Sequence, residues 1–137
     1  MLKWENVHLG QGPKPWAIPP ISMTDIIKYQ GASGDFQPIH HDTGFAQAAG
    51  LKQPIVIGML PAGLAANWAA DWAGPENVRV VRVRWQQPAW PGDELTIQGE
   101  VTKKYEDSEG KKIDLEIKCS KQDSNLALTG LMTFLVS

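Results

Sequence analysis

The chain has 137 residues and a formal net charge of −2, from 13 Lys+Arg against 15 Asp+Glu. Hydrophobic residues at 42% and charged residues at 20% exclude global disorder and predict one globular domain over residues 1–137. There is no basic excess to neutralise phosphates, so no nucleic-acid partner is expected, although all three arginines (Arg79, Arg82, Arg84) cluster.

The first twenty residues hold four of the ten prolines, Pro13, Pro15, Pro19 and Pro20. Proline removes ladder donors, so any strand here is short or at an edge. Ser22 or Thr24 opens a first helix, with Asp25 in its first turn and Gly31 and Gly34 ending it. Asp42 is placed to cap a short helix over residues 45–49, closed by Gly50. Residues 55–70 then run apolar, with Asn67 the only strongly polar side chain. That run is shorter than the roughly 20 residues a bilayer requires and contains Pro61, so no membrane span is expected. It predicts a buried helix over residues 60–72, with Pro61 in its first turn and Gly74-Pro75 as its stop.

The period then changes to two. Val81, Val83 and Trp85 alternate with Arg82 and Arg84; Leu95, Ile97 and Val101 with Thr96, Gln98 and Glu100; Ile113, Leu115, Ile117 and Cys119 with Asp114, Glu116 and Lys118. Leu126, Leu128, Met132, Phe134 and Val136 form a fourth set, and Pro91-Gly92-Asp93, residues 107–110 and residues 122–125 supply the turns. Four antiparallel strands after one buried helix predict an α+β domain, a curled sheet wrapped around that helix. The last strand is apolar on both faces, Leu131 and Leu135 opposing Met132 and Phe134, which predicts a covered outer face at a subunit interface.

Cys119 is the only cysteine, and no Cys/His cluster has metal spacing, so neither disulfide, metal nor cofactor is expected. The start lacks the apolar run of a signal peptide, and a cytoplasmic setting follows as the expectation. Of three histidines, His40 and His41 are adjacent, and Asp35 stands five residues before His40 across a proline-containing loop. Such a loop can bring a carboxylate and an imidazole to one water, a general acid/base pair near neutral pH. Read blandly, Gly34-Asp35 is ordinary turn chemistry and His40 a solvated loop residue.

Ser33-Gly34-Asp35-Phe36-Gln37-Pro38-Ile39-His40, followed by Ala46, Gly50, Pro54-Ile55 and Gly58-Met59, resembles the hydration motif of MaoC-like, R-specific enoyl-CoA hydratases. The segment from Trp85 to Leu95 is similar to that family's strand-turn-strand segment after the central helix. The resemblance covers the chain from about Ser22 onward. It implies a hot-dog fold and syn addition of water to a trans-2-enoyl thioester, with Asp35 and His40 as the catalytic dyad and an acyl-CoA thioester as substrate. Asp35 as base and His40 as acid is the favoured order, which the sequence leaves open. Gly58 matches the glycine whose backbone N–H binds the thioester oxygen.

Three positions depart from the family pattern: Gln37 where Asn is common, Ile57 where His is common, and Gly63 where a small hydroxyl residue is common. They bear on rate and substrate class more than on reaction type. The broader pattern, including Asp71-Trp72-Ala73-Gly74-Pro75, resembles the small subunit of hydratases acting on steroid side-chain CoA thioesters. That implies either a homodimer or a heteromer with a second hot-dog chain. Two other functions remain: a hot-dog thioesterase, and a non-catalytic acyl-CoA-binding subunit. His41 reads as a solvated loop residue, Trp68 and Trp72 as core or interface anchors or a stacking surface for a ring-bearing acyl group. Arg82 and Arg84 either meet CoA phosphates or keep the sheet's outer face wet.

Overall fold

The computed structural model describes residues 2–137. A short strand β1 (Trp16–Ile18) precedes helices α1 (Met23–Ser33), α2 (Thr43–Ala48) and α3 (Met59–Ala73). Strands β2 (Val78–Trp85), β3 (Leu95–Asp107), β4 (Gly110–Lys121) and β5 (Leu126–Leu135) follow. They form one antiparallel sheet in the order β1-β3-β4-β5-β2. The proline-bounded β1 lies at one edge and β2 at the other, as a strand that cannot donate a full ladder must. The sheet wrapped on a helix is the hot-dog arrangement that the resemblance implies.

Local signals account for the helix ends. Ser22 and Asp25 close a capping box: the Asp25 N–H donates to Ser22 Oγ at 3.1 Å and the Ser22 N–H to Asp25 Oδ2 at 2.9 Å. Gly31 does not end α1. The helix runs through it to Ser33, because one glycine costs a helix only about 1 kcal/mol against alanine. Gly34 makes the stop, with φ 75° and its N–H on the Gln30 carbonyl at 2.9 Å. Asp42 caps α2 through the Phe45 N–H at 2.8 Å.

The core is the contact between α3 and the concave face of the sheet. Alternate residues of β3, β4 and β5 (Leu95, Ile97, Val101; Ile113, Leu115, Ile117, Cys119; Leu128, Met132, Phe134) are all buried there. The helix answers with Ala62, Ala65, Ala69 and Ala73, spaced by three or four residues and all buried. Leu60, Leu64, Trp68 and Trp72 pack half-buried on its flanks, and Trp68 Nε1 donates to the Lys14 carbonyl at 3.0 Å. The apolar run of residues 55–70 is thus consumed inside the domain. No helix among the described residues is long and apolar enough to cross a membrane.

Burial pushes the Cys119 thiol up to about 11, leaving it a small apolar side chain at neutral pH. On the outer face Leu131 and Leu135 are half-buried within this single chain. Edge strand β2 is the exposed one: Val81 is 48% and Trp85 51% accessible.

Because the α3 stripe tolerates only methyl groups, Ala69→Leu is expected to destabilise the fold by about 1–3 kcal/mol through overpacking. Urea unfolding would show a lowered midpoint at an unchanged slope.

Candidate active site

The loop leaving α1 carries the motif residues. Its left-handed Gly34 turns the chain so that the Asp35 N–H donates to Ser33 Oγ at 3.2 Å and the Gln37 N–H to Asp35 Oδ1 at 3.3 Å. A single 3-10 turn, Pro38–His40, then delivers His40 half-buried, with Nδ1 2.7 Å from the Ile55 carbonyl. A carbonyl only accepts, so Nδ1 holds the proton of the neutral ring and the lone pair lies at Nε2. His40 therefore presents Nε2 for proton exchange.

Gly58 sits at the start of α3. Its carbonyl accepts from Trp85 Nε1 at 2.9 Å, and a Cβ at this position would stand 2.7 Å from that nitrogen. The glycine is required by the close approach of the indole. Its own N–H has no partner among the described residues and lies at the positive end of the helix dipole. That is a position suited to a developing oxyanion.

A cavity of about 400 Å³ joins these groups; His40, Ile55, Gly58, Pro61, Trp85 and Pro88 are on its wall. It is bounded by His40 and Gly58 in an otherwise mostly apolar lining, the composition of a small-molecule site. The other sequence candidates are placed differently. Asp35 and Gln37 are exposed on the adjoining loop and do not line this cavity within the single chain. Ile57, where the family commonly has His, is 2% exposed in the hydrophobic core and does not line this cavity. Gly63 lies exposed on α3, with open space where a Cβ would be.

Arg82 and Arg84 line a shallow groove on the outer face with Glu116 and Lys118. Strand alternation puts them on the opposite side of β2 from Trp85. Within this chain they do not reach the cavity.

Two site features had escaped the sequence reading. One is Trp85, which the sequence marks as an alternating strand residue and as the start of the family-like segment to Leu95, but not as a site residue. The other is Gln30, 3% exposed, whose Nε2 donates to the Asp35 carbonyl at 2.9 Å and the Gln37 carbonyl at 3.3 Å. Its Oε1 accepts from His41 Nδ1 at 2.9 Å, so His41 is an exposed loop residue, as expected, with one ring nitrogen tied to α1. The signal was present: Gln30 stands four residues after Ile26, on the one buried stripe of α1, where an uncharged amide needs partners.

The cavity's far wall is tied down by the segment after β2. The Val56 N–H donates to the Ala89 carbonyl at 3.0 Å, and the Gly92 N–H to that of Ile21 at 2.9 Å. Asp93 anchors the turn, accepting from the Trp90 N–H at 2.9 Å and Gln122 Nε2 at 2.8 Å, with Lys121 Nζ at 3.1 Å.

This sheet wrapped around a helix, with a histidine and a backbone N–H near the helix's N-terminal end, is a hot-dog domain, and the comparisons agree. The family model described as "MaoC like domain" matches residues 6–122, and the chain belongs to that family. Among relatives, it is 36% identical over 80 residues to the 3-oxo-4,17-pregnadiene-20-carboxyl-CoA hydratase beta subunit of Mycobacterium tuberculosis, covering 58% of this chain and 62% of that one. It is 32% identical over 85 residues to the (R)-specific enoyl-CoA hydratase of Aeromonas caviae, covering 61% of this chain and 63% of that one. The matches therefore span a little under two thirds of either relative. A chain of the ChsH1-ChsH2 complex from M. tuberculosis superposes with a TM-score of 0.81 at 25% identity, over 95% of this chain and 98% of that chain.

Desolvation, the largest single influence on Asp93, raises its pKa. The hydrogen bonds from Gln122 and Trp90 and the bond and charge of Lys121 together outweigh it and hold the carboxyl below its ordinary value. A depressed carboxylate stabilises the fold fully above its unfolded pKa of about 4, and that contribution disappears as pH falls through the lower folded value. Unfolding free energies measured from pH 6 down to pH 2 should fall more steeply for the wild type than for Asp93→Asn.

Proposed function

We propose that this chain hydrates a trans-2-enoyl-CoA to a 3-hydroxyacyl-CoA, or runs the reverse dehydration. The observation that carries the reading is the cavity wall on which the His40 ring and the unpaired Gly58 N–H meet. In hydration, the oxygen of water bonds to C3 while its proton passes to the base. The C2–C3 π electrons move toward the thioester oxygen, whose negative charge the Gly58 N–H stabilises. Protonation at C2 completes the addition. Asp35 as base and His40, exchanging its proton at Nε2, as acid is the assignment we adopt; Gln37 holds the Asp35 carboxylate through its backbone N–H.

The named activities of the two curated relatives support the reaction class, and the M. tuberculosis relative supports a ring-bearing acyl group. Gly63 is exposed and lies off the His40 cavity, so it would border such a group only where a second chain covers that face. We further propose that a second hot-dog chain, identical or different, completes the site; the exposed edge strand β2 with Val81 and Trp85 is the surface for it. The exposed position of Asp35 outside the His40 cavity favours one second reading, a non-catalytic acyl-CoA-binding subunit.

Loss of the ultraviolet enoyl-thioester band tests both. Asp35→Asn and His40→Ala should each lower kcat/KM by at least ~100-fold, with the double variant little worse than the poorer single one. A purified chain that binds enoyl-CoA without consuming it would establish the second reading instead.

Substrate width has its own check. Gly63→Leu should reduce turnover of a steroid-type enoyl-CoA far more than that of crotonyl-CoA. Since space alone discriminates by only about 1–3 kcal/mol per methylene, short linear substrates should still react in the wild type. Equal losses on both would remove Gly63 from the acyl site.

A further inference from the structure

Gln30 is the one polar side chain buried in α1. Its backbone carbonyl already takes the Gly34 N–H that ends the helix. Its amide then crosses to the following loop, where Nε2 meets two carbonyls, those of Asp35 and Gln37, at 2.9 and 3.3 Å. Carbonyls cannot donate, so the amide orientation is fixed: the NH₂ faces the loop and Oε1 faces His41. That in turn fixes the proton of neutral His41 on Nδ1. All of the amide's capacity used here goes to residues 35, 37 and 41, which flank the loop carrying Asp35 and His40.

From this we infer that Gln30 is a positioning residue for the reaction, holding the Asp35 loop in its reactive shape through the two Nε2 hydrogen bonds. The inference rests on the hydratase reading above. The loop is exposed at Asp35, Phe36 and Gln37; besides Gln30, it is held by the Asp35 N–H on Ser33 Oγ at the end of α1, by the Gln37 N–H on Asp35 Oδ1, and by the His40 N–H on the Gln37 carbonyl at 3.1 Å. Removing Gln30's donors leaves the helix, the sheet and the His40–Ile55 bond in place, but loosens the Asp35–Phe36 and Gln37–Pro38 peptide planes. A carboxylate carried on a loosened loop spends less time where it can accept a proton from the attacking water. A misplacement of about 1 Å costs on the order of 100-fold.

Gln30→Met keeps length and volume without donors, and Gln30→Asn keeps the amide on an arm too short to span both carbonyls. Each is expected to lower kcat of enoyl-CoA hydration by about 10- to 100-fold with KM changed less than about 3-fold. Either variant that folds carries the test, with melting temperature recorded beside the rates. The separating measurement is a cycle with Asp35→Asn. If Gln30 acts through Asp35, Gln30→Met/Asp35→Asn will be no slower than Asp35→Asn within about 3-fold. General loosening of the domain would instead multiply the two losses. An active wild type whose Gln30 variants keep full kcat, or whose losses multiply, overturns this inference alone. A wild type inert toward every enoyl-CoA overturns the hydratase reading and this inference with it.

Discussion

The seating of α3 in the concave sheet is the contact on which the rest of the molecule depends. Four alanines bring the helix backbone close to β4 and β5, and that closeness sets where the helix begins. Because α3 starts at Met59, Gly58 falls beneath the end of β2, within reach of Trp85. The indole holds the Gly58 carbonyl and leaves the N–H unspent. A larger residue in the alanine stripe would push the helix outward and carry that N–H with it. Packing and the candidate site are therefore joined at one place: the depth of the helix in its trough decides where the proposed Gly58 donor stands.

The other half of the site is held by hydrogen bonds between local segments. His40 is oriented by a carbonyl fifteen residues away in sequence, at Ile55, on the segment leading into α3. The imidazole and the Gly58 N–H are thus set by neighbouring parts of one stretch of chain, residues 55–58. Across the cavity, Asp93 ties the segment after β2 to the hairpin between β4 and β5 through Lys121 and Gln122. The apolar walls come from the sheet and helix. The polar groups come from loops that these bonds immobilise.

Much of this was legible in the chain itself, for reasons that differ by element. Alternation revealed the four long strands because each has one face in the core, and the alanine-rich run revealed α3 because no polar side chain interrupts it until Asn67. Helix caps were legible as local chemistry, Ser22 with Asp25 and Asp42 with Phe45. Gly31 misled, since glycine in a helix interior and glycine at a helix end look alike until the sign of φ is known. Ile57 misled for a related reason: neighbours in sequence point opposite ways at a helix start, so Gly58 borders the cavity while Ile57 enters the core. Trp85 was hidden because its partner is a backbone carbonyl, which leaves no trace in residue identity, while Gln30 showed only as an amide on the buried stripe of α1, with neither its carbonyl partners nor His41 indicated.

Cys119 offers a practical consequence of the packing. The sole thiol of the chain is buried under α3 and held protonated at neutral pH, so it is a poor nucleophile toward alkylating reagents. The native domain is in effect a cysteine-free scaffold for maleimide chemistry. A cysteine introduced at an exposed place on the Asp35 loop, such as Phe36, would be the single labelling point, and a fluorophore there would report loop motion without a competing signal.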